Sequence, residues 1–397
     1  MYRSYRSSST RSNSNQGFRN RFPRRNYKSP RVDIYAYISR SQQKDNFVQE
    51  QSSVEKFADF NLLPQVEQAI VSRGYIKPTP IQAKVIPEVL LGRDILGLAN
   101  TGTGKTDSFL IPTLHKILTN QKQTVLIVSP TRELAEQINH DFYSLARGLG
   151  IYSVLCIGGT SLYRQRRDLS RKHNVIIGTP GRILDLINQK ALNLSFVETV
   201  VLDEVDRMFD MGFVNDMKKI LANLPQARQS LFFSATVTPD ITNLIKQHSS
   251  NMEMLSVKTQ ESAATVEQDV IKVSDSLGKV EVLRRLLSQE DFAKVLIFGR
   301  TKHGVQKLSQ KLSEKGFRAD AIHGNKSQSQ RQNVLSKFRQ NKISILVATD
   351  VAARGLDIPD ITHVINFDVP ATYEDYIHRI GRTGRSDCKG KALTFVG

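Results

Sequence analysis

Short apolar runs alternate with longer amphipathic stretches along the chain from about Phe57 onward. The runs have the length of buried strands, and the stretches between them carry apolar residues at helical spacing. This alternation is typical of parallel sheets with helices on both faces, so the predicted fold class is α/β. The predicted strands are residues 94–98, 125–128, 175–177, 199–202, 231–233, 295–298, 345–348, 363–365 and 392–395.

A polar stretch over residues 258–268 interrupts this alternation and predicts a flexible linker between two α/β units. We therefore expect a first domain over residues 51–257 and a second domain over residues 269–397. Because the last predicted strand ends beside Gly397, we also expect the second sheet to lack a covering layer on that side.

Residues 1–50 have a different composition, dominated by Ser, Arg, Asn and Gln, and predict a disordered tail. Residues 1–45 hold 11 Lys and Arg against two Asp, a net charge of +9, which is half of the chain's +18. Aromatic side chains lie among the arginines, which favours a tail that binds RNA with little sequence preference. A solvated tail without a specific role and an organellar transit peptide are the alternatives.

Composition also excludes several protein classes. Cys156 and Cys388 have the spacing of neither a disulfide framework nor a metal site, which suits a reducing compartment. No apolar run approaches the roughly 18–20 residues of a membrane span, and the first residues lack the apolar core of a secretory signal. We expect a cytoplasmic monomer with a polyanionic partner.

The strongest chemical signal is the run ANTGTGKT, which lies between a predicted strand and an apolar helical pattern. Glycines there let the backbone turn tightly and direct N–H groups at phosphates, Lys105 can reach the β- and γ-phosphates, and the Thr106 hydroxyl can bind Mg²⁺. A turn that only joins a strand to a helix is the alternative. The predicted triphosphate-binding residues are Ala99, Asn100, Thr101, Gly102, Thr103, Gly104, Lys105 and Thr106.

A second signal is the apolar run VVL followed by the acidic residues DEVD at 203–206. Asp203 then lies at the carboxyl end of a strand, where α/β sheets bind ligands. Asp203 can hold Mg²⁺ and Glu204 can polarise an attacking water. Alone, such a cluster is more often a solvated turn or a helix cap, but together with Lys105 it predicts an ATPase-type site.

These motifs, in this order, resemble the DEAD-box RNA helicases of superfamily 2, with DEVD where the family usually has DEAD. The resemblance runs from about Phe57 onward and implies two RecA-like domains, ATP and Mg²⁺ as cofactors, and RNA as partner. Residues 74–82, GYIKPTPIQ, resemble the family's Q motif, expected over residues 55–83. This resemblance implies that Phe57 and Tyr75 lie beside the adenine of ATP. Tyr75 would stack on the base, and Gln82 would form hydrogen bonds with its edge.

The resemblance also implies residues that bind the RNA backbone and residues that couple ATP to strand separation. Coupling is expected from Asp206, Ser234, Thr236 and His378, and a ribose contact from Asp357. The expected RNA contacts are Pro130, Arg132, Gly158, Gly159, Thr179, Gly181, Arg182, Arg300, Gln328, Arg331, Thr349 and Arg354. Without the resemblance, most of these would be ordinary caps and turns.

Residues 378–385, HRIGRTGR, resemble the family's sixth motif. Arg382 and Arg385 can deliver planar, permanently charged donors to the γ-phosphate from the second domain. A basic surface face is the alternative interpretation of this run.

Two positions depart from the family pattern. Val205 replaces the usual Ala and is expected to be tolerated. Asp107 follows Lys-Thr where a small residue is usual, and we expect its charge beside Mg²⁺ and phosphate to weaken ATP binding or to alter metal affinity.

The expected function is that of an ATP-dependent RNA helicase that binds single strands and short duplexes by the backbone, with little sequence specificity. It would unwind short duplexes locally while hydrolysing ATP to ADP and phosphate. Three alternatives remain: an ATP-gated RNA clamp that unwinds nothing, a DNA-directed helicase of the same superfamily, and an annealing module that works through the basic tail without ATP.

Overall fold

A computed structural model describes residues 33–42, 56–99, 102–249, 251–257, 266–273, 276–353, 358, 360–384 and 390–397. Within these ranges the chain forms two all-parallel sheets flanked by helices, which confirms the predicted fold class. The first element is helix α1 (Ile34–Gln42), which packs with the second sheet. No helix in the described ranges combines the length and hydropathy that crossing a membrane requires.

The first sheet has seven strands: β1 (Asp94–Leu98), β2 (Thr124–Val128), β3 (Ser153–Cys156), β4 (Val175–Gly178), β5 (Val197–Leu202), β6 (Gln229–Ser234) and β7 (Met252–Ser256). Their order across the sheet is β3-β4-β2-β5-β6-β1-β7. The surrounding helices are a 3₁₀ turn (Phe57–Phe60), α2 (Pro64–Ser72), α3 (Pro80–Leu90), α4 (Lys105–Thr119), α5 (Arg132–Leu145), α6 (Leu162–Leu169), α7 (Pro180–Asn188), α8 (Val205–Asp210), α9 (Val214–Ala222) and α10 (Pro239–His248).

Alternate residues of the central strands enter two separate cores, one on each face of this sheet. In β2, Val125 and Ile127 pack with α2 to α5, whereas Leu126 and Val128 pack with α7 to α10. A strand covered on both faces needs apolar side chains at every position. This explains why the central strands are continuous apolar runs in the sequence.

The second sheet has six strands: β8 (Val266–Lys272), β9 (Val295–Phe298), β10 (Ala319–Ile322), β11 (Ile345–Ala348), β12 (His363–Asn366) and β13 (Gly390–Val396). Their order is β10-β11-β9-β12-β13-β8. The accompanying helices are α11 (Ser276–Leu287), α12 (Lys302–Glu314), α13 (Gln328–Arg339), α14 (Asp350–Ala353) and α15 (Tyr373–Ile380).

The expected linker over residues 258–268 was too long, because β8 already begins at Val266. Val266 pairs with Gly390 of β13, and the pairing continues in parallel to the end of the strand. Glu267 and Asp269 face solvent, and Gln268 between them is also polar, so the first half of this edge strand has the composition of a loop. Residues 258–265 lie outside the described ranges.

The prediction of disorder over residues 1–50 was wrong for α1. Ile34 is only 2% exposed, and the Tyr37 ring lies 5.6 Å from the ring of Tyr373 and 6.0 Å from that of Tyr376, between ring centroids. The prediction used the average composition of residues 1–50, which is polar. That average does not show the short amphipathic pattern of apolar residues at positions 34, 37 and 38. The rest of the predicted tail, residues 1–32 and 43–50, lies outside the described residues.

Helix α1 also corrects the expectation that one side of the second sheet is uncovered. Ile34 joins a core cluster with Val266 of β8, Ala392 of β13 and Ile380 of α15. The Ser41 hydroxyl donates a 2.9 Å hydrogen bond to the side-chain oxygen of Gln268 in β8. A segment from the start of the chain therefore covers this part of the second domain.

Candidate active site

The glycine loop follows β1 and leads directly into α4. Gly102 and Gly104 have φ values of +85° and +90°, in the left-handed region that favours glycine. A Cβ atom on Gly104 would lie 2.7 Å from Gln82 Nε2 and 2.8 Å from Thr79 Oγ1. The loop therefore needs glycine there for conformation and for space, and it places Lys105 and Thr106 in the first turn of α4. Ala99 lies buried before the loop, whereas Asn100 and Thr101 fall outside the described residues.

Gln82, the predicted adenine contact, is buried and bonded within the first domain. Its side-chain oxygen accepts a 2.9 Å hydrogen bond from the backbone N–H of Thr79, and its Nε2 donates to the Gly104 carbonyl at 3.2 Å. In this structure Gln82 thus fixes the glycine loop against the start of α3. Its contact with adenine stays a prediction.

Asp203 and Glu204 lie at the carboxyl end of β5, as predicted. Asp203 is 3% exposed, and its Oδ1 has no hydrogen-bond partner among the described residues. Burial raises the pKa of Asp203 to about 7, against the opposing charge of Lys105. Glu204 adopts φ +54°, and its Oε2 lies 3.1 Å from Nη1 of Arg207, a fully buried arginine.

The residues present fit a magnesium ion. A hydroxyl from Thr106 and a carboxylate from Asp203 are the oxygen ligands that Mg²⁺ prefers, and the buried Oδ1 of Asp203 lacks a partner. No group of three or more His, Cys, Asp or Glu side chains in the described ranges could hold a metal by itself. Where one or two protein oxygens bind Mg²⁺, phosphates and water usually complete the ligand set.

Side chains from both domains line one cavity of about 690 Å³. Lys105, Thr106, Asp203 and Glu204 contribute from the first domain, and Arg382, which follows α15, contributes from the second. Arg382 is buried in this position. Tyr75, Gly102 and Gly104 also line it, so the described residues of this cavity include eight of the predicted nucleotide-site residues. Arg385, the second predicted arginine finger, lies outside the described residues.

The predicted coupling residues are also brought together. Oδ2 of Asp206 accepts hydrogen bonds from the backbone N–H groups of Ala235 and Thr236, both at 3.0 Å, and from the Thr236 hydroxyl at 3.2 Å. The Ser234 hydroxyl donates to the Thr236 carbonyl at 2.7 Å. Burial alone would raise the pKa of Asp206, but the charges of Lys105, Arg207 and His378 lower it.

The predicted RNA contacts of the first domain cluster around Arg132. Its guanidinium lies against two glycines: a Cβ on Gly158 would be 2.9 Å from Arg132 Nη2, and one on Gly159 would be 2.5 Å from Nη1. Arg182 Nη1 donates to the Thr160 carbonyl at 3.5 Å, beside the same turn. Pro130 is buried before α5, and Thr179 and Gly181 lie at the start of α7.

In the second domain, the side chains of two predicted RNA contacts form hydrogen bonds with carboxylates of the first domain in this structure. Arg331 Nε donates to Glu133 Oε1 at 2.8 Å, and Gln328 Nε2 donates to Glu133 at 3.3 Å and to Glu136 at 3.2 Å. Arg300 and Thr349 follow β9 and β11 at the same edge of the sheet. Arg354 and Asp357 lie outside the described residues, and the RNA contacts of all these residues stay predictions.

The chain is similar to known proteins. The chain matches the DEAD/DEAH box helicase family over residues 79–244 and the helicase conserved C-terminal domain over residues 278–387. It is 44% identical over 345 residues to the ATP-dependent RNA helicase CshA of Listeria monocytogenes, covering 86% of this chain and 66% of that protein, just under two thirds of its length. It is 44% identical over 342 residues to the DEAD-box ATP-dependent RNA helicase CshA of Geobacillus kaustophilus, covering 86% and 73%. The chain belongs to the DEAD-box helicase family.

Solved DEAD-box structures support the fold. The structure of S. cerevisiae Dbp5 bound to RNA and ADP BeF3 is similar to this chain with a TM-score of 0.76 and 29% sequence identity. The similarity covers 86% of this chain and 89% of that one. The two parallel-sheet domains are therefore RecA-like, as the sequence resemblance implied.

Two buried arginines of this DEAD-box chain were not singled out by sequence reasoning. Arg207 faces Glu204, and Arg379 forms a two-pronged ion pair with Asp350, with Nε to Oδ1 at 2.5 Å and Nη2 to Oδ2 at 2.8 Å. Arg379 lies inside the motif HRIGRTGR, and Arg207 directly follows the motif DEVD. The sequence feature that could have identified them is an arginine among apolar residues of a short predicted helix, with acidic residues nearby.

The two departures from the DEAD-box pattern have structural explanations. Val205 is fully buried in the core beneath α8. Asp107 lines the same cavity as Lys105 and Thr106, and its Oδ2 accepts a 2.7 Å hydrogen bond from the Tyr75 hydroxyl. Burial raises the pKa of Asp107, while the Tyr75 hydrogen bond and the charge of Arg73 oppose that rise. Its expected effect on ATP and metal binding stays a prediction.

Proposed function

We propose that this chain is an ATP-dependent RNA helicase that locally unwinds short duplexes and hydrolyses ATP to ADP and phosphate. The observation that carries the proposal is the shared cavity. Arg382 of the second domain faces the same space as Lys105, Asp203 and Glu204 of the first. Such a cavity is complete only when the two domains are together, which suits an enzyme whose hydrolysis depends on closure around nucleotide and RNA.

Each residue of the cavity has a role in binding or hydrolysis. Backbone N–H groups of the glycine loop and the Lys105 ammonium bind the phosphates, and Arg382 donates to the γ-phosphate as negative charge develops on it. Thr106 and Asp203 would hold Mg²⁺, which supplies neutralising charge to the phosphates when it is bound. Glu204 orients and polarises the attacking water, and Arg207 holds the Glu204 carboxylate in place.

RNA binds, in this proposal, along the edge where strands of both sheets end. Arg132, the turn at Gly158 and Gly159, and the start of α7 contact phosphates in the first domain, and Gln328 and Arg331 do so in the second. Contacts to phosphate and sugar carry little sequence information, so recognition is tolerant of base sequence. The Asp206 carboxylate accepts hydrogen bonds from the Thr236 hydroxyl and from the backbone N–H of Ala235. These bonds connect the acidic motif to the end of β6, at the edge of the sheet proposed to bind RNA.

The test is phosphate release from ATP, with and without single-stranded RNA, and with an equal mass of DNA as control. We expect strong stimulation by RNA, unwinding of short RNA duplexes, and loss of both in Lys105→Ala. Wild-type turnover in that variant would contradict the assignment of Lys105. The cytoplasmic and monomeric state stays a prediction.

Other outcomes would favour the alternative functions. Equal stimulation by DNA and RNA would favour a DNA-directed helicase, and RNA-stimulated hydrolysis without strand separation would favour a clamp. Duplex formation that continues without ATP and is lost on deleting residues 1–32, which leaves α1 in place, would favour an annealing module.

A further inference from the structure

Asp107 is a buried carboxylate that the proposed hydrolysis does not use. It is the third residue of α4 and lines the same cavity as Lys105 and Thr106. Its Oδ2 accepts from the Tyr75 hydroxyl at 2.7 Å, while its Oδ1 has no hydrogen-bond partner among the described residues. Burying a carboxylate is unfavourable unless its partners stabilise it, so this placement needs an explanation.

Tyr75 is held from more than one side. Its hydroxyl is bonded to Asp107, the guanidinium carbon of Arg73 lies 5.3 Å from its ring centroid, and the Phe57 ring lies nearly parallel to it, with 6.5 Å between centroids. Arg73 is itself fixed by Asp141, through a 3.1 Å ion pair and a 3.1 Å hydrogen bond to the Asp141 carbonyl. Without Asp107, the phenol ring would still be packed but its outer end would have no fixed partner.

The position of Tyr75 relative to the glycine loop indicates what this ring contacts. Tyr75 lines the cavity that contains Lys105, and phosphates bound at Lys105 leave the nucleoside to extend along the remaining wall. A half-buried aromatic ring in that wall can stack on a base, and stacking depends on ring orientation.

We infer that Asp107 is a positioning residue for the nucleotide base: it fixes the ring of Tyr75 so that the ring stacks on the adenine of bound nucleotide. This inference rests on the proposed function, because it requires that the cavity binds ATP and ADP. It reverses the sign of the effect expected from sequence. The carboxylate strengthens nucleotide binding through Tyr75 and does not weaken it through repulsion of phosphate.

The experiment compares binding of ADP with binding of inorganic pyrophosphate, which has no base, in the full chain. We expect Asp107→Ala to weaken ADP binding about tenfold, the effect of losing one charge-assisted hydrogen bond. Pyrophosphate affinity should not change. Asp107→Asn keeps an acceptor for the Tyr75 hydroxyl and should recover most of the ADP affinity.

A double-variant comparison separates positioning from general destabilisation. If Asp107 acts through the Tyr75 hydroxyl, then adding Tyr75→Phe to Asp107→Ala should cause no further loss of ADP affinity. Asp216→Ala is the matched control, because Asp216 is also the third residue of its helix, α9, and is not part of the cavity. It should bind ADP like the wild type.

Several results would overturn the inference. These are unchanged or tighter ADP binding in Asp107→Ala, an equal loss of pyrophosphate affinity, additive losses in the double variant, and failure of Asp107→Asn to recover binding. If the wild-type chain binds neither ADP nor ATP, the proposed function fails and this inference fails with it. If the wild type binds ADP and hydrolyses ATP, the variants test the role of Asp107 alone.

Discussion

Replacing Arg379 with alanine should selectively destabilise the second domain. Besides its ion pair with Asp350, the Arg379 guanidinium donates from Nη1 to the Asn366 side-chain oxygen at 3.1 Å and to the Asp368 carbonyl at 2.6 Å. It therefore joins α15 to the start of α14 and to the end of β12. Truncation removes all four hydrogen bonds and leaves their acceptors behind.

The size of the effect follows from the burial of these acceptors. Removing one partner of a buried ion pair costs about 3–5 kcal/mol, and the lower end applies here because the Asp350 side chain is 27% exposed. The buried acceptor at Asn366 and the partly buried carbonyl of Asp368 add about 1 kcal/mol each. We therefore expect a loss of about 4–5 kcal/mol. The free energy of unfolding of a domain of this size falls by about 2 kcal/mol for each molar of urea, so the midpoint of urea unfolding should fall by about 2 M.

Hydrogen exchange read by mass spectrometry is suited to this prediction because it reports the two domains separately. Peptides from β12 and α15 should lose protection, whereas peptides from β2 and β5 should not. Arg284→Ala is the matched control, since Arg284 forms an exposed ion pair with Glu281 and should change stability by less than about 0.5 kcal/mol. A loss below about 1 kcal/mol for Arg379→Ala, or equal losses in both domains, would refute the reasoning.

Three further predictions follow from the contacts described above. Gly104→Ala forces a side chain into a left-handed turn against Gln82 and should weaken ADP binding at least about tenfold by calorimetry; unchanged affinity would show that the loop relaxes. Arg331→Ala removes the 2.8 Å pair with Glu133 and should shift ligand-free molecules about tenfold toward separated domains in fluorescence energy transfer; identical distance distributions would exclude a closing role for the pair. Ile34→Ala should release α1, seen as rapid amide exchange over that helix alone; retained protection would contradict its docking through this side chain.

The sequence predicted the central strands well and the edge strands poorly. The strands missed by the hydrophobic pattern are β3, β7, β8 and β10, and these occupy the two edges of each sheet. Central strands are buried on both faces and must be continuously apolar, so their sequences are distinctive. Edge strands are short or carry solvent-facing polar residues, as Glu267 and Asp269 show in β8, and resemble loops.

The glycine loop and the acidic motif were predictable because the chemistry proposed for them requires specific residues at fixed local spacing. The contacts of Asp107 and of α1 were not predictable in this way. Asp107 acquires its partner from Tyr75, 32 positions earlier, and Ser41 of α1 acquires Gln268, 227 positions later. Neither pairing leaves a local pattern, so both required the fold before they could be recognised.

The docking of α1 has a consequence for how the domains can move. With α1 on the second domain, residues 43–55 connect that domain to the first, in addition to residues 258–265. Residues 43–55 can span at most about 45 Å when fully extended, so this second tether limits separation even if the first were cut. Cleavage within residues 258–265 should therefore yield two fragments that stay together until α1 is displaced.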